Sequence, residues 1–101
     1  MLPKKLLSAD DFEWDQGNLE KNWLKHGVSP FECEEVFFNQ PILMFDDAKH
    51  SHHELRYYVL GKTNRERKLS VVFTVRNDLI RVISARNMNK KERANYEEVK
   101  I

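Results

Sequence analysis

Two apolar runs on either side of a two-residue turn constrain this chain most. Leu69–Arg76 and Leu79–Arg86 flank Asn77-Asp78, and both runs are rich in valine, isoleucine and phenylalanine. Such residues favour the pleated, half-buried surface of a strand. Asn and Asp tolerate the left-handed backbone that a tight hairpin turn demands. With Arg76 paired to Leu79, the side chains alternate into two sets. One holds Leu69, Val71, Phe73, Val75, Ile80, Val82, Ser84 and Arg86; the other holds Ser70, Val72, Thr74, Arg76, Leu79, Arg81, Ile83 and Ala85. The first set is apolar at its centre and needs a cover, because a lone hairpin is at best marginally stable in water. The second set is polar and carries arginines, so a site is expected there.

The N-terminal part supplies the cover. Asp15 is a good N-cap, Trp14 and Leu19 stand at hydrophobic-staple positions, and Gly27 suits the left-handed residue that closes a helix. This predicts a helix over 16–26 with Leu19, Trp23 and His26 on one face. Ser29-Pro30-Phe31-Glu32 is a capping box with proline at its first helical position. A second helix follows over 30–38, with Cys33, Val36 and Phe37 as its buried stripe and Pro41 beyond its end. After Pro41 the period becomes two. A short strand is expected over 42–45, a polar connection over 46–54 and a strand over 55–60 ending at Gly61. A charged loop covers 62–68. Asn89 and Glu92 mark a last helix, but Lys90 and Lys91 oppose its dipole and Ala94, Tyr96 and Val99 make a weak stripe, so it is expected to be weakly anchored. Asp10–Trp14 fits a short strand or extended arm, and residues 1–11 an ill-ordered extension. The whole is an α+β fold: two N-terminal helices and a C-terminal helix on an antiparallel sheet.

With 101 residues, one domain spanning 1–101 is expected. The single Cys33 excludes an internal disulfide and a cysteine-only metal site, and its place on a buried stripe points to an inert core thiol. No apolar run approaches the ~20 residues of a membrane span, and the N-terminus lacks the pattern of a signal peptide. A cytoplasmic protein is expected. Net charge is only +1, yet it is segregated. From Arg56 to Lys91 ten bases face two acids, a surplus of +8; the remainder carries −7. The asymmetry suggests a surface that meets a polyanion. His50-Ser51-His52-His53 invites a zinc reading, but no cysteine or carboxylate framework stands at convincing spacing nearby, so a solvated loop is favoured and no metal site is expected.

Several blocks occur together in order: Phe12-Glu13-Trp14-Asp15, Asn22, Lys25-His26-Gly27-Val28-Ser29-Pro30-Phe31, Glu54 with Arg56, Gly61, Arg81-Val82-Ile83-Ser84-Ala85-Arg86, Glu92-Arg93 and Tyr96-Glu97. Together they resemble the BrnT family, toxins of bacterial type II toxin–antitoxin modules, from about Phe12 to Glu97. The resemblance implies a RelE-like fold with helices on one sheet face. It also implies metal-independent RNA cleavage that arrests translation, with no cofactor. A BrnA-like ribbon-helix-helix antitoxin is the implied partner, and operator DNA is bound only through it. Two copies of each chain are expected, set by the antitoxin dimer.

RNA brings its own nucleophile, the 2′-hydroxyl beside the scissile phosphate. The protein must then supply a base, an acid and cations for the phosphorane. Arginine suits the last role because its planar fork grips phosphate oxygens and stays charged. Arg81 is the leading candidate, set against an ion pair with a carboxylate of the acidic half. Arg86 is either catalytic or a pin for the last helix. Glu54 is a candidate base and Arg56 a phosphate contact, set against a salt bridge. Lys25 and His26 are candidates at a helix end, where a capping cation is the competing explanation; histidine suits acid–base work near neutrality. Arg76, Lys90, Lys91 and Tyr96 are candidate RNA contacts. A non-catalytic co-repressor on the same fold is the main alternative, and a metalloenzyme using the histidine loop a third.

Overall fold

The computed structural model describes residues 11–50 and 54–99. Along the chain run β1 (Asp11–Glu13), α1 (Gln16–His26), α2 (Pro30–Phe38), β2 (Leu43–Asp46), a 3-10 turn (Ala48–His50), β3 (Tyr57–Lys62), β4 (Lys68–Arg76), β5 (Leu79–Asn87) and α3 (Lys90–Glu97). Both expected helix starts form by the expected chemistry. Asp15 accepts the Asn18 amide at the head of α1. Ser29 and Glu32 form a reciprocal capping box at the head of α2, behind Pro30. Gly27 ends α1 at φ 61°, the conformation that glycine adopts without a Cβ penalty.

The five strands form one sheet in the order β1-β5-β4-β3-β2. Four are antiparallel neighbours, but β1 runs parallel to β5, Phe12 opposite Ile80. An all-antiparallel sheet was expected; three residues carry too little pattern to show direction. The chain passes from β1 straight into α1, and together they line the outer edge of β5. There the Asn18 side chain donates to the Val82 carbonyl and the Asn22 side chain accepts from the Ala85 amide. Asp11 therefore belongs to a strand rather than to an extension, while residues 1–10 lie outside the described residues. Strand β3 also starts two residues later than the alternation suggests. Leu55 and Arg56 lie before it, with the Leu55 carbonyl held by the Thr74 hydroxyl and that of Arg56 by the Asp47 amide.

The hairpin turn is as expected, Asn77 and Asp78 both having positive φ, with Arg76 opposite Leu79. Beyond it comes a correction. Phe73 pairs with Val82 but Val72 pairs with Ser84, so β5 bulges by one residue at Ile83. A bulge reverses the alternation past it. Ala85 turns into the core beside Val71, and Ser84 and Arg86 turn onto the face of Ser70, Val72, Thr74, Arg76 and Arg81. The simple alternation places them the other way round.

The main core lies between the helices and the apolar face. Val28, Cys33 and Val36 pack on Val59, Leu69, Val71, Phe73, Val82 and Ala85, all essentially sealed from solvent. Burial of each large side chain contributes roughly 1.5–3 kcal/mol. Phe37 meets Phe73 edge-on at 5.1 Å, and Phe12 closes the end against Phe37. Helix α1 does not bury the expected face: Trp23 is 60% exposed, while Asn22 is 3% exposed and bonds the β5 edge. A second cluster, Leu60, Met88 and Tyr96, holds α3. Leu60 alternates with core-facing Val59, so α3 covers part of the opposite face, not the face of α1 and α2. It is also better anchored than expected, with a capping box, a buried tyrosine and ion pairs Arg86–Glu92 and Lys68–Glu97. No described helix is long and apolar enough to cross a membrane.

Candidate functional site

The face opposite α1 and α2 carries two groups of charged side chains. Near the hairpin turn, Arg81 reaches the N-cap of α1: its Nη2 lies 3.1 Å from Asp15 Oδ2. The other oxygen of Asp15 accepts the Asn18 amide, so one carboxylate serves both cap and ion pair. Arg76 donates through Nη2 to both oxygens of Glu54, at 3.1 and 2.9 Å. That bond, with the nearby Glu54 and Glu13 charges, raises the proton affinity of the guanidinium further. Glu54 and Arg56 were expected to share one side of a strand; both precede β3, and Glu54 turns to Arg76 instead.

At the far end of β5, Arg86 grips Glu92 with both terminal nitrogens, at 2.7 and 3.0 Å. The same carboxylate accepts the Asn89 amide that caps α3. The Arg86 bond foremost, against the effect of burial, holds Glu92 below the usual carboxylate range. Lys90 and Lys91 are exposed on the first turn of α3. Tyr96 is not offered to a ligand: it is 4% exposed and its hydroxyl donates to the Pro41 carbonyl at 2.7 Å.

Lys25 and His26 lie exposed on the last turn of α1. Their carbonyl end is clamped by a residue that no motif in the sequence singles out. Arg67 donates to the carbonyls of His26 and Gly27, to Glu32 and to the side chain of Asn87. Glu32 pays for burial with an upward push, but the Ser29 amide and Arg67 overcome it and its pKa is lowered.

The structure thus does not gather all six expected catalytic residues at one point. Arg81, Arg76 and Glu54 stand at one end of the face. Arg86, Lys90, Lys91 and the Lys25-His26 turn stand around the other end of β5. Arg81 and Arg86 lie opposite Thr74 and Ser70, four positions apart on β4, roughly 13 Å along the sheet. Nor does the basic segment present an open positive field. Among the described residues at least six of its ten bases are ion-paired, Lys62 to Glu66 within the segment and Arg67, Lys68, Arg76, Arg81 and Arg86 to Glu32, Glu97, Glu54, Asp15 and Glu92 outside it. A polyanion could engage those paired side chains only by displacing their carboxylates.

Two other expectations concern chemistry away from this face. The Cys33 thiol is 1% exposed and is pushed up to about 12 by burial, helped by Glu32 and Glu34, as suits a core thiol. The histidine run falls mostly on residues 51–53, outside the described residues; among the described residues no group of histidine, cysteine and carboxylate side chains is placed to hold a metal.

Comparison with known proteins adds a family and a fold. A family model described as the ribonuclease toxin BrnT of type II toxin–antitoxin systems matches residues 14–92. The 1.1 Å crystal structure of the Brucella abortus ribonuclease toxin BrnT matches with a TM-score of 0.59 at 21% identity, covering 79% of this chain and 97% of that one. At that identity the likeness is one of fold. No curated protein sequence matches the chain.

Proposed function

The chain belongs to the BrnT family of ribonuclease toxins of type II toxin–antitoxin systems, and from that membership we propose that it is a cytoplasmic endoribonuclease that cleaves RNA without a metal ion and arrests translation. The observation that supports this best is the bulge at Ile83, which sets Arg81 and Arg86 on the same sheet face. A strand of RNA lying along β5 meets an arginine fork at each end.

The scissile phosphate is assigned to the Arg81 end. The RNA 2′-oxygen attacks the adjacent phosphorus and the bond to the 5′-oxygen breaks, leaving a 2′,3′-cyclic phosphate and a free 5′-hydroxyl. Glu54 accepts the 2′-hydroxyl proton once a phosphate oxygen has replaced it on Arg76, and the departing 5′-oxygen takes its proton from solvent water. Arg81 and Arg56 stabilise the charge that develops on the non-bridging oxygens. Arg86, Lys90, Lys91 and Lys25 hold the flanking phosphates, with His26 beside them. Neutralisation falls to a BrnA-like ribbon-helix-helix antitoxin, with two copies of each chain and operator DNA bound only through the antitoxin.

Cleavage of a defined RNA in the presence of EDTA tests the reading. Arg81→Ala is expected to lower the rate by about 10²–10³, the range for loss of one charge-stabilising donor. Arg81→Lys should also be impaired, since the fork is lost. Full cleavage by a folded Arg81→Ala protein refutes the assignment. Binding without cleavage by the wild type favours the co-repressor, and loss of cleavage on chelation favours the metalloenzyme.

A further inference from the structure

We infer that Arg67 is a positioning residue for the RNA track, one that fixes the Lys25-His26 turn against the Arg86 end of β5. The inference rests on the reading that RNA lies along that strand. Arg67 follows a tight loop. The Thr63 amide donates to the Arg67 carbonyl and the Arg67 amide to the Thr63 hydroxyl, at 2.9 and 3.1 Å. Thr63 is 3% exposed, and Glu66 between them is held at φ 68°. The backbone of Arg67 is therefore fixed before its side chain makes any contact.

The guanidinium then joins three elements. Its Nη2 donates to the His26 carbonyl at 2.9 Å, and Nη1 donates to the Gly27 carbonyl at 2.9 Å and to Glu32 at 3.0 Å. Its Nε donates to Asn87 Oδ1 at 2.8 Å. The backbone carbonyl of that same Asn87 accepts from Arg86 Nη1 at 3.1 Å. So one residue, Asn87, is bonded on its side chain by Arg67 and on its backbone by Arg86. Arg67 carries the register of β5 to the end of α1, where Lys25 and His26 project. A surface cleft opens beside this junction, lined by Glu66, Arg67, Lys68, Asn87, Met88 and Arg93. A strand leaving the sheet face past Arg86 passes this point. A lysine at 67 would keep the charge but lose the planar fork that reaches four acceptors on three elements at once.

The test separates positioning from mere stability through KM and kcat. A loss of folded protein lowers the apparent kcat and leaves KM unchanged; a displaced phosphate contact raises KM with kcat kept. Arg67→Lys is expected to raise KM for a single-stranded RNA about tenfold, the size of one charge-assisted contact. In a Lys25→Ala/His26→Ala background the same change should add no further rise, because the contact it positions is gone. A KM that stays at the wild-type value while activity follows the folded fraction by circular dichroism overturns the inference. So does a KM rise that is fully additive with the double variant. If Arg67→Lys does not fold, Asn87→Ala removes only the Nε bond and should raise KM in the same direction; an unchanged KM overturns the inference. Wild-type protein that cleaves no RNA removes the functional reading itself, whereas loss of cleavage in Arg81→Ala with no KM effect in Arg67→Lys removes the positioning role alone.

Discussion

Arg86 is the residue whose two roles can be separated by charge. It pins α3 through Glu92, and it stands on the face assigned to RNA. Glu92→Gln removes the negative charge but keeps an oxygen for the Asn89 amide, so the helix cap survives. The side chains of Arg86 and Glu92 are 40% and 18% exposed, so solvent screens the pair in part. The loss is then about 0.5–1 kcal/mol, at the upper end of surface ion pairs. For a chain of this size that is a fall in Tm of about 2–8 °C. Arg86 itself becomes free for phosphate, so RNA binding should be kept or tightened. Arg86→Gln should cost similar stability but weaken binding. It should also reduce the slope of log K against log[salt] by about 0.7, the share of one contact to single-stranded nucleic acid.

Fluorescence anisotropy with an RNA carrying a 2′-deoxy sugar at the cut site reads both quantities across a salt series. Opposite effects of the two variants on RNA, with matched effects on Tm, support the dual role. If Arg86→Gln leaves affinity and salt slope at wild-type values while lowering Tm like Glu92→Gln, Arg86 anchors α3 and nothing more.

Further outcomes follow from the same geometry. Glu32 and Glu92 have folded pKa values below the usual range, so they add stability above an unfolded pKa near 4.3 and lose it as pH falls through the lower folded values. Thermal melts from pH 7 to 3 should show Tm falling below about pH 4.5, and less steeply in Glu92→Gln; a flat profile refutes the linkage. Cys33 should resist Ellman's reagent in the native state at pH 8 and react at once in denaturant, whereas rapid native labelling would contradict its burial. At Gly61 an added Cβ would stand 2.6 Å from Val36 Cγ1 and 3.2 Å from the Val36 carbonyl oxygen. Gly61→Ala should therefore destabilise by about 1–3 kcal/mol through overpacking, measured by urea denaturation, and an unchanged midpoint would show that α2 yields.

Much of the fold was legible because local chemistry decides it. Asp15, Gly27, Ser29 with Glu32, and Asn77-Asp78 each satisfy a backbone requirement where they stand, and each does so in the structure. What the sequence concealed depends on partners distant along the chain. The bulge at Ile83 has no marker in a run where every residue suits a strand, yet it decides which face receives Ala85 and which Arg86. The outward Trp23 was hidden because helical periodicity assumes an apolar partner, whereas α1 meets a strand edge that needs hydrogen bonds from Asn18 and Asn22. Arg67 was one base among ten, distinguished only by the four acceptors that folding brings around it.

The charge pattern misled for a related reason, and the correction bears on how such a site works. A surplus of +8 read along the chain implies an open field, but folding lays the acidic part against the basic one. Asp15, Glu54 and Glu92 sit on Arg81, Arg76 and Arg86, the forks that a phosphate would use. On the proposed function, binding RNA would exchange one anion for another on each fork, so the net gain per phosphate would be smaller than for a bare guanidinium, and affinity would lean on the exposed Lys25, Lys90 and Lys91. The exchange also frees a carboxylate at each step. On Arg76 the group that would be freed is Glu54, the proposed base, released beside the bound phosphate. An ion pair that looks like a competing explanation for the arginine is, on this account, what keeps a general base masked until substrate arrives.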